Sequence, residues 1–463
     1  MSRIRYGLAL LAAKLSVVAL RVTRHNGTNF PGVVAIKICP DFLRWIRKPG
    51  TIIGITGTNG KTTVSNLSRD LMEQLGRPVL NNSAGSNINT GIATCLIHGV
   101  TFFGRPKYDT AVLEIDERSA RLIFPYIQPD ILMVTNLSRD SIMRNGHPEY
   151  IKDILTRYMP KKTRLLLNAD NLISTMVAPE NPRVCFGIDR LPTDKTTCSN
   201  RINDMQICPR CSSPMKYEYI RYSNVGRAYC PNCGFSSPKA EYHVTSVDWE
   251  DRILHFVADT AGAEADFPIV GEGLFNIYNE TAVIALFMEL GYSIEEIRDA
   301  MGKVRITASR YGVEKVGDIT ILQLLGKDKN AYGTSRVLEY IHTLPGDKEI
   351  LLYNNSLTDA AHWSENTCWL YDCDFELLAD STVKRVIVYG DRAKDYKLRL
   401  LMAGVPEDRI VEVRKPEDGI DHLLAIPNET ICIIYGTGPE NLGARMAGSV
   451  KEKLRNREQE VKA

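Results

Sequence analysis

The chain has 463 residues, 44% of them hydrophobic, with 57 lysines and arginines against 55 acids, for a formal net charge of +2. That length allows about two to four domains around a large buried core, and the near-cancelling charge supplies no global field for a nucleic acid or an anionic membrane. Eleven cysteines are not spread as a disulfide framework; four form two close pairs, which in a chain of this size points to a metal site in a reducing cytoplasm.

At the N-terminus, the apolar run from Gly7 to Leu20 follows Arg3 and Arg5 and imitates a signal peptide. Lys14 interrupts it, and it is too short to span a bilayer. An amphipathic helix packed on the next domain is expected, with a peripheral helix at the inner face of the membrane as the alternative. A turn-rich connector, Arg24 to Gly32, leads to a short helix from Val33 to Ile46 that Pro40 should break. Residues 1–48 therefore read as an N-terminal helical segment.

Thr51-Ile-Ile-Gly-Ile-Thr-Gly-Thr-Asn-Gly-Lys-Thr-Thr63 then reads as a strand, a phosphate-cradling loop and the start of a helix running to about Leu75. Gly57 and Gly60 let backbone N–H groups approach phosphate oxygens, and the helix adds the positive end of its dipole. Thr58 and Asn59 complete the loop, Lys61 is placed to neutralise the outer phosphates, and the hydroxyl of Thr62 or Thr63 suits Mg²⁺. The usual pattern has a glycine five residues before Gly60, where this chain has Ile55, so the loop is a variant.

Short apolar runs follow at Pro78–Leu80, Ala111–Ile115, Ile131–Thr135 and Arg164–Asn168. Their alternation with helical stretches predicts an α/β domain with a mostly parallel sheet covered on both faces, and ligands at the strands' carboxyl ends. There lie the glycine and asparagine loop Asn82–Gly91, then Glu114-Ile-Asp-Glu117, then Thr135-Asn-Leu-Ser-Arg-Asp140. Carboxylates at such ends suit Mg²⁺. Asp116 and Asp140 could equally cap the next helices, whereas Glu114, inside its strand, needs a partner.

Near residue 200 the composition changes. Cys208-Pro-Arg-Cys211 and Cys230-Pro-Asn-Cys233 are two CxxC knuckles whose four thiolates complete a tetrahedral, closed and hence structural Zn²⁺ site in an insertion spanning about 200–240. A redox CxxC is the lesser reading. Between the pairs, Met215 to Tyr222 alternates aromatic and basic residues like a hairpin strand, which would also suit RNA, although the rest of the chain offers no basic patch.

The sheet pattern resumes from Glu241 to Val257, and Gly271 to Glu280 leads into helices over 281–290 and 293–304. The central domain thus spans 49–308. From about Val313, runs at Ile319–Leu325, Glu349–Tyr353, Val386–Gly390 and Thr430–Tyr435 predict a second, Rossmann-like α/β domain over 309–463, with a charged helix or frayed tail from Lys451.

Together, Thr56-Gly-Thr-Asn-Gly-Lys-Thr62, the Asn82–Gly91 loop, Glu114, Thr135-Asn136, Leu274-Phe-Asn-Ile-Tyr-Asn279 and Arg310 resemble the ordered motifs of the Mur ligases. The four cysteines, the Arg24–Gly32 connector and Asn87-Ile-Asn-Thr-Gly-Ile-Ala93 narrow the resemblance to the MurT family, the Mur-ligase-like subunits of lipid II isoglutaminyl synthase. It implies ATP-dependent amidation of the α-carboxyl of D-glutamate in the lipid II stem peptide through an acyl phosphate. Ammonia would come from a separate glutaminase subunit resembling GatD. It further implies that Glu114 serves Mg²⁺ and that Asn276, Asn279 and Arg310 lie near the nucleotide. No cysteine stands in a recognisable glutaminase nucleophile turn.

Departures from the family fall mainly in the C-terminal domain. Asp140-Ser141 stands where many Mur ligases have Asp-His. The run Asn354 to Trp369 corresponds to a MurT pattern whose second Asp is thought to act on ammonia or the acyl phosphate. Here the run is longer, and its register back from Trp369 places Asn366 at that position, with Asp359, His362 or Glu365 as substitutes. Lys329-Asn330 with Gly333 matches a Lys-Asn-Pro-x-Gly turn without its proline. The rival functions are a Mur-type ligase that adds an amino acid, a nucleic-acid-binding zinc-ribbon NTPase, and a catalytically silent scaffold.

Overall fold

The computed structural model describes residues 2–24, 27–83, 86–139, 147–271, 273–304, 311–326, 329–354, 367–436 and 441–462. These form two compact units, the first holding the described residues within 1–138, 148–198 and 203–306, and the second those within 139–147, 199–202 and 307–463.

In the first unit, α1 (Ser2–Val22), α2 (Phe30–Ile38) and α3 (Phe42–Trp45) precede β1 (Thr51–Thr56), α4 (Lys61–Gln74), β2 (Leu80–Asn81) and α5 (Asn89–Gly99). Pro40 does separate α2 from α3. Next come β3 (Thr110–Glu114), α6 (Ala120–Ile123), β4 (Ile131–Val134), α7 (Pro148–Tyr158), β5 (Arg164–Asn168), α8 (Leu172–Thr175) and β6 (Arg183–Ile188). The hairpin β7 (Lys216–Tyr222) and β8 (Val225–Tyr229) stands apart, followed by β9 (Tyr242–Asp248), β10 (Ile253–Ala258), β11 (Ala263–Pro268), α9 (Leu274–Glu289) and α10 (Ile294–Met301).

The nine-stranded sheet runs β11-β10-β9-β6-β5-β4-β1-β3-β2. It is parallel from β2 to β9 and turns antiparallel at β10 and β11. β1 lies between β3 and β4 and is almost wholly buried, as suits its β-branched residues on either side of Gly54. β11 escapes sequence reading because Ala263-Glu-Ala-Asp-Phe-Pro carries a weak apolar signal; its acids point outward on an edge strand, where charge blocks further pairing.

Lys14, the break in the apolar run, has a structural reason. Its Nζ donates to the carbonyls of Ile97 (2.6 Å) and Val100 (2.7 Å), capping the C-terminal end of α5 where the helix dipole is negative. Ala9, Leu10, Ala13 and Val17 form the buried face of α1 around that contact.

The second unit contains β12 (Tyr311–Val316), β13 (Ile319–Leu325), α11 (Ala331–Thr343), β14 (Lys348–Tyr353), α12 (Trp369–Asp372), β15 (Val383–Tyr389), α13 (Ala393–Met402), β16 (Ile410–Val413), β17 (Thr430–Tyr435) and α14 (Leu442–Lys462). Its six-stranded sheet runs β12-β13-β17-β14-β15-β16, parallel except for β12 against β13. Successive residues of β14 feed two different cores: Ile350 and Leu352 pack with α11 and α13, Leu351 and Tyr353 with α14. This two-sided burial is why the strands read as continuous apolar runs. The segment Ser199–Ile202 also belongs here, with Asn200 donating to Asp374 (2.8 Å) and Ile202 entering the α11 core.

Candidate active site

β1 delivers its last residue, Thr56, to the loop 57–60, and α4 begins at Lys61. Gly57 (φ +129°) and Gly60 (φ +86°) adopt backbone angles that disfavour side chains. Their surroundings forbid side chains as well: a Cβ on Gly57 would come within 2.2 Å of Thr135 Oγ1, and one on Gly60 within 2.4 Å of Asn279 Oδ1.

The end of β4 braces the loop. The Thr58 N–H donates to the Asn136 carbonyl (2.8 Å), Thr58 Oγ1 to the Ser138 carbonyl (3.0 Å), and the Asn59 N–H to Asn136 Oδ1 (3.2 Å). In return Thr135 Oγ1 (2.6 Å) and Asn136 Nδ2 (3.0 Å) donate to the Asn59 carbonyl. On the other side Asn279 Nδ2 donates to Asn276 Oδ1 (3.2 Å), so the first turns of α9 press on Gly60. The loop is thus held from two elements distant in sequence, which preorganises its amides.

Lys61 makes the contact that sequence reading missed. Its Nζ lies 2.9 Å from Glu117 Oε1 and 3.4 Å from the Thr58 carbonyl, and it also bonds the Gly57 carbonyl. The Glu117 side chain is only 3% exposed; burial raises its pKa, against the pull of the Lys61 ammonium. Three acids close β3, and nothing in their spacing shows which one meets the lysine. Asp116 accepts from the Arg118 (3.1 Å) and Ser119 (3.0 Å) N–H groups, so it caps the following turn.

Glu114 has the partner a strand carboxylate requires, the Asn87 amide at 2.9 Å from Oε1. Its backbone N–H donates to Asn82 Oδ1 (2.8 Å), and Asn82 Nδ2 returns a bond to its carbonyl (2.9 Å). In register Glu114 is opposite Ile55, two residues before Gly57. Thr62 is exposed and Thr63 half-buried in the first turn of α4. Arg310, Asp359, His362, Glu365 and Asn366, like Asp140, lie outside the described residues. Before that stretch, Asn354 is fully buried and donates to Thr334 Oγ1 (3.1 Å), and the Asn330 side chain accepts from the Gly333 N–H (2.7 Å).

Cys208, Cys211, Cys230 and Cys233 converge, with all four Sγ atoms within 4.8 Å of one another. Cys208–Cys233 (3.6 Å) and Cys211–Cys230 (3.4 Å) are separated about as ligands on one tetrahedral ion, given ~2.3 Å metal–sulfur bonds. The two knuckles repeat one geometry. The first cysteine N–H donates five residues ahead, Cys208 to Ser213 and Cys230 to Phe235, while the Ser212 and Gly234 N–H groups donate back to those cysteines' carbonyls. Hydrogen bonds from Ser213 and Asn232 lower the Cys211 thiol pKa, whereas burial and the three neighbouring thiols raise that of Cys233, as expected when four thiols crowd one metal-free cluster.

Behind the knuckles, Arg221 of β7 is not an exposed base. Its side chain is 1% exposed and reaches Asp170 Oδ2 (2.7 Å), Asp194 Oδ2 (3.0 Å) and the Ile188 carbonyl (2.8 Å). Tyr278, on α9, donates to Asp170 Oδ2 (2.6 Å), and Tyr219 donates to the Ile188 carbonyl (2.9 Å). The alternation that suggested RNA is therefore an anchor: buried tyrosines and one arginine lock the hairpin to the helix that carries Asn276 and Asn279.

This fold and this loop define a Mur-type ligase. Residues 55–207 match the family described as Mur ligase middle domain, and residues 328–437 match MurT ligase C-terminal. The fold is similar to that of a pseudomurein peptide ligase type C from Methanothermus fervidus, with a TM-score of 0.66 at 20% identity over 90% of this chain and 81% of the other.

Relatives that bear the name lipid II isoglutaminyl synthase (glutamine-hydrolyzing) subunit MurT include proteins of two genera. The Staphylococcus aureus (strain COL) protein is 31% identical over 431 residues, covering 91% of this chain and 95% of the relative. The Streptococcus pneumoniae (strain ATCC BAA-255 / R6) protein is 32% identical over 416 residues, covering 89% and 90%. The chain belongs to the MurT family and is a ligase.

Proposed function

We propose that this chain amidates the α-carboxyl of the D-glutamate in the lipid II stem peptide, using ATP, with ammonia supplied by a glutaminase subunit. The observation that carries the proposal is the braced loop with Lys61 at its end, in a chain matching MurT relatives over nine-tenths of its length.

A carboxylate resists nucleophiles until one oxygen becomes a leaving group. A carboxylate oxygen attacks the γ-phosphorus, the bond to ADP breaks, and an acyl phosphate forms. The ammonia nitrogen then adds to the carbonyl carbon, loses a proton, and expels inorganic phosphate to leave the amide. The protein's task is positioning and charge neutralisation. The amides of 57–60 receive the phosphates, and Lys61 exchanges its bonds to Glu117 and the loop carbonyls for phosphate oxygens. Asn276 and Asn279 stand beside the loop for the nucleotide, with Arg310 assigned there by the family pattern. In the C-terminal domain, Asp359 or Asn366 is assigned to the ammonia step on the same basis.

Thr62 and Glu114 fit Mg²⁺, because both offer hard oxygen donors and Asn87 already orients the carboxylate. When bound, that ion would neutralise charge on the transferring phosphoryl group. The four cysteines fit a structural Zn²⁺, since all coordination positions are protein thiolates. The test is to supply lipid II, ATP, Mg²⁺ and ammonium, and separately glutamine with the glutaminase, and to look for the amide by mass spectrometry. ATP turnover dependent on an added amino acid, with that amino acid in the product, would replace amidation by amino-acid addition.

A further inference from the structure

α1 carries two apolar faces, and packing accounts for one of them. Ala9, Leu10, Ala13 and Val17 point inward. Ile4, Leu8, Leu11, Leu15, Val18 and Val22 point outward, spaced four and three residues apart along one stripe, with Leu15 58% and Val22 78% exposed. α1 cannot rotate to hide this stripe, because Lys14 is tied to the end of α5 and Tyr6 packs on Phe42 (ring centroids 5.5 Å apart). On the Tyr6 and Leu10 side of α1, the turn after α5 presents Phe102 and Phe103, the latter 90% exposed. The next residue, Gly104, approaches the Tyr6 and Leu10 side chains of α1.

The charged residues of α1 itself are Arg3, Arg5, Lys14 and Arg21, with no acid. Residues 1–40 and 74–108, which supply α1, α2, α5 and this turn, contain nine lysines and arginines and no acid. The net charge of +2 conceals this asymmetry because the acids lie elsewhere. A stripe with this spacing could also be a coiled-coil seam, but such seams are flanked by charges of both signs that select a partner helix. An apolar stripe on a helix whose only charged residues are cations, near a turn with two exposed phenylalanines, matches a surface made for the headgroup and acyl boundary of an anionic bilayer. Among the described residues no helix is long and apolar enough to cross a membrane, so the contact would be peripheral.

We propose that the outward face of α1, together with Phe102 and Phe103, docks the protein on an anionic lipid surface. The inference stands apart from the amidation reading, because it concerns α1 and the turn after α5 rather than the residues of the phosphate loop, and its test needs no substrate.

The test is sedimentation of the full chain with vesicles of phosphatidylcholine alone or mixed with phosphatidylglycerol. Partition should be at least about tenfold higher on the mixed vesicles and should fall with salt. Leu11→Glu with Leu15→Glu should lose about tenfold or more of it, with circular dichroism and melting unchanged because both side chains face outward. Arg3→Glu with Arg5→Glu should remove the preference for phosphatidylglycerol while keeping the apolar stripe. Equal partition on the two vesicle types, or no loss in the leucine variant, overturns the proposal. So does light scattering that shows a dimer which the leucine variant dissociates, or loss of the glutaminase subunit from that variant, in the absence of vesicle binding.

Discussion

At rest, the Lys61 ammonium is held by a carboxylate and two carbonyls of its own neighbourhood, so phosphate binding is an exchange of partners. Lys61→Ala should lower turnover at least ~100-fold, as expected for losing a charged group at a developing phosphoryl charge, while circular dichroism shows the fold retained. An unchanged rate would remove the loop from the chemistry. The loop itself was legible in the sequence because glycines, lysine and flanking strand and helix signals coincide within thirteen residues. Glu117 was not, because a strand's two-residue period ends with the strand, and the direction of a side chain in the next turn depends on tertiary contacts. A second buried carboxyl makes a pH prediction. Burial and the neighbouring Glu349 raise the Glu429 pKa to about 8. A carboxyl raised in the folded state binds its proton more tightly there than in the unfolded chain. Its contribution is therefore complete below the ordinary carboxylate range and is lost as pH rises through about 8. Glu429→Gln should accordingly raise the melting temperature relative to the parent more at pH 9 than at pH 6; an equal shift at both would contradict the assignment.

Among the elements, the hairpin β7–β8 matters most for the site, since its buried arginine and tyrosines reach α9, and α9 touches the loop. Arg221→Met should cost about 3–5 kcal/mol in urea denaturation, because it leaves Asp170 and Asp194 buried without their cation. It should also weaken nucleotide binding through α9, whereas an exposed base would cost less than about 0.5 kcal/mol. Metal analysis of freshly purified, reduced protein should find about one zinc per chain, and a metal-free cluster would overturn the zinc reading. The cysteine spacing announced the knuckles directly. The anchor behind them stayed hidden, because alternating aromatic and basic residues look alike whether the bases face solvent or buried acids. The edge strand β11 was missed for a related reason, its polar face outweighing its apolar one in the sequence.

For the whole molecule, both parallel sheets were legible because strands buried on two faces leave continuous apolar runs. The excursion of Ser199–Ile202 into the second unit was not, because nothing local in four polar-to-apolar residues records a contact with Glu339 and Asp374 far along the chain. The proposed reaction turns on the passage of one carboxylate from ATP to ammonia. That claim is tested most directly with a stem-peptide substrate carrying ¹⁸O in both α-carboxylate oxygens, supplied with ATP, Mg²⁺ and ammonium. An acyl phosphate predicts an amide that keeps one labelled oxygen and inorganic phosphate that gains the other. Amide formation with unlabelled phosphate, or ATP hydrolysis without amide, would contradict it.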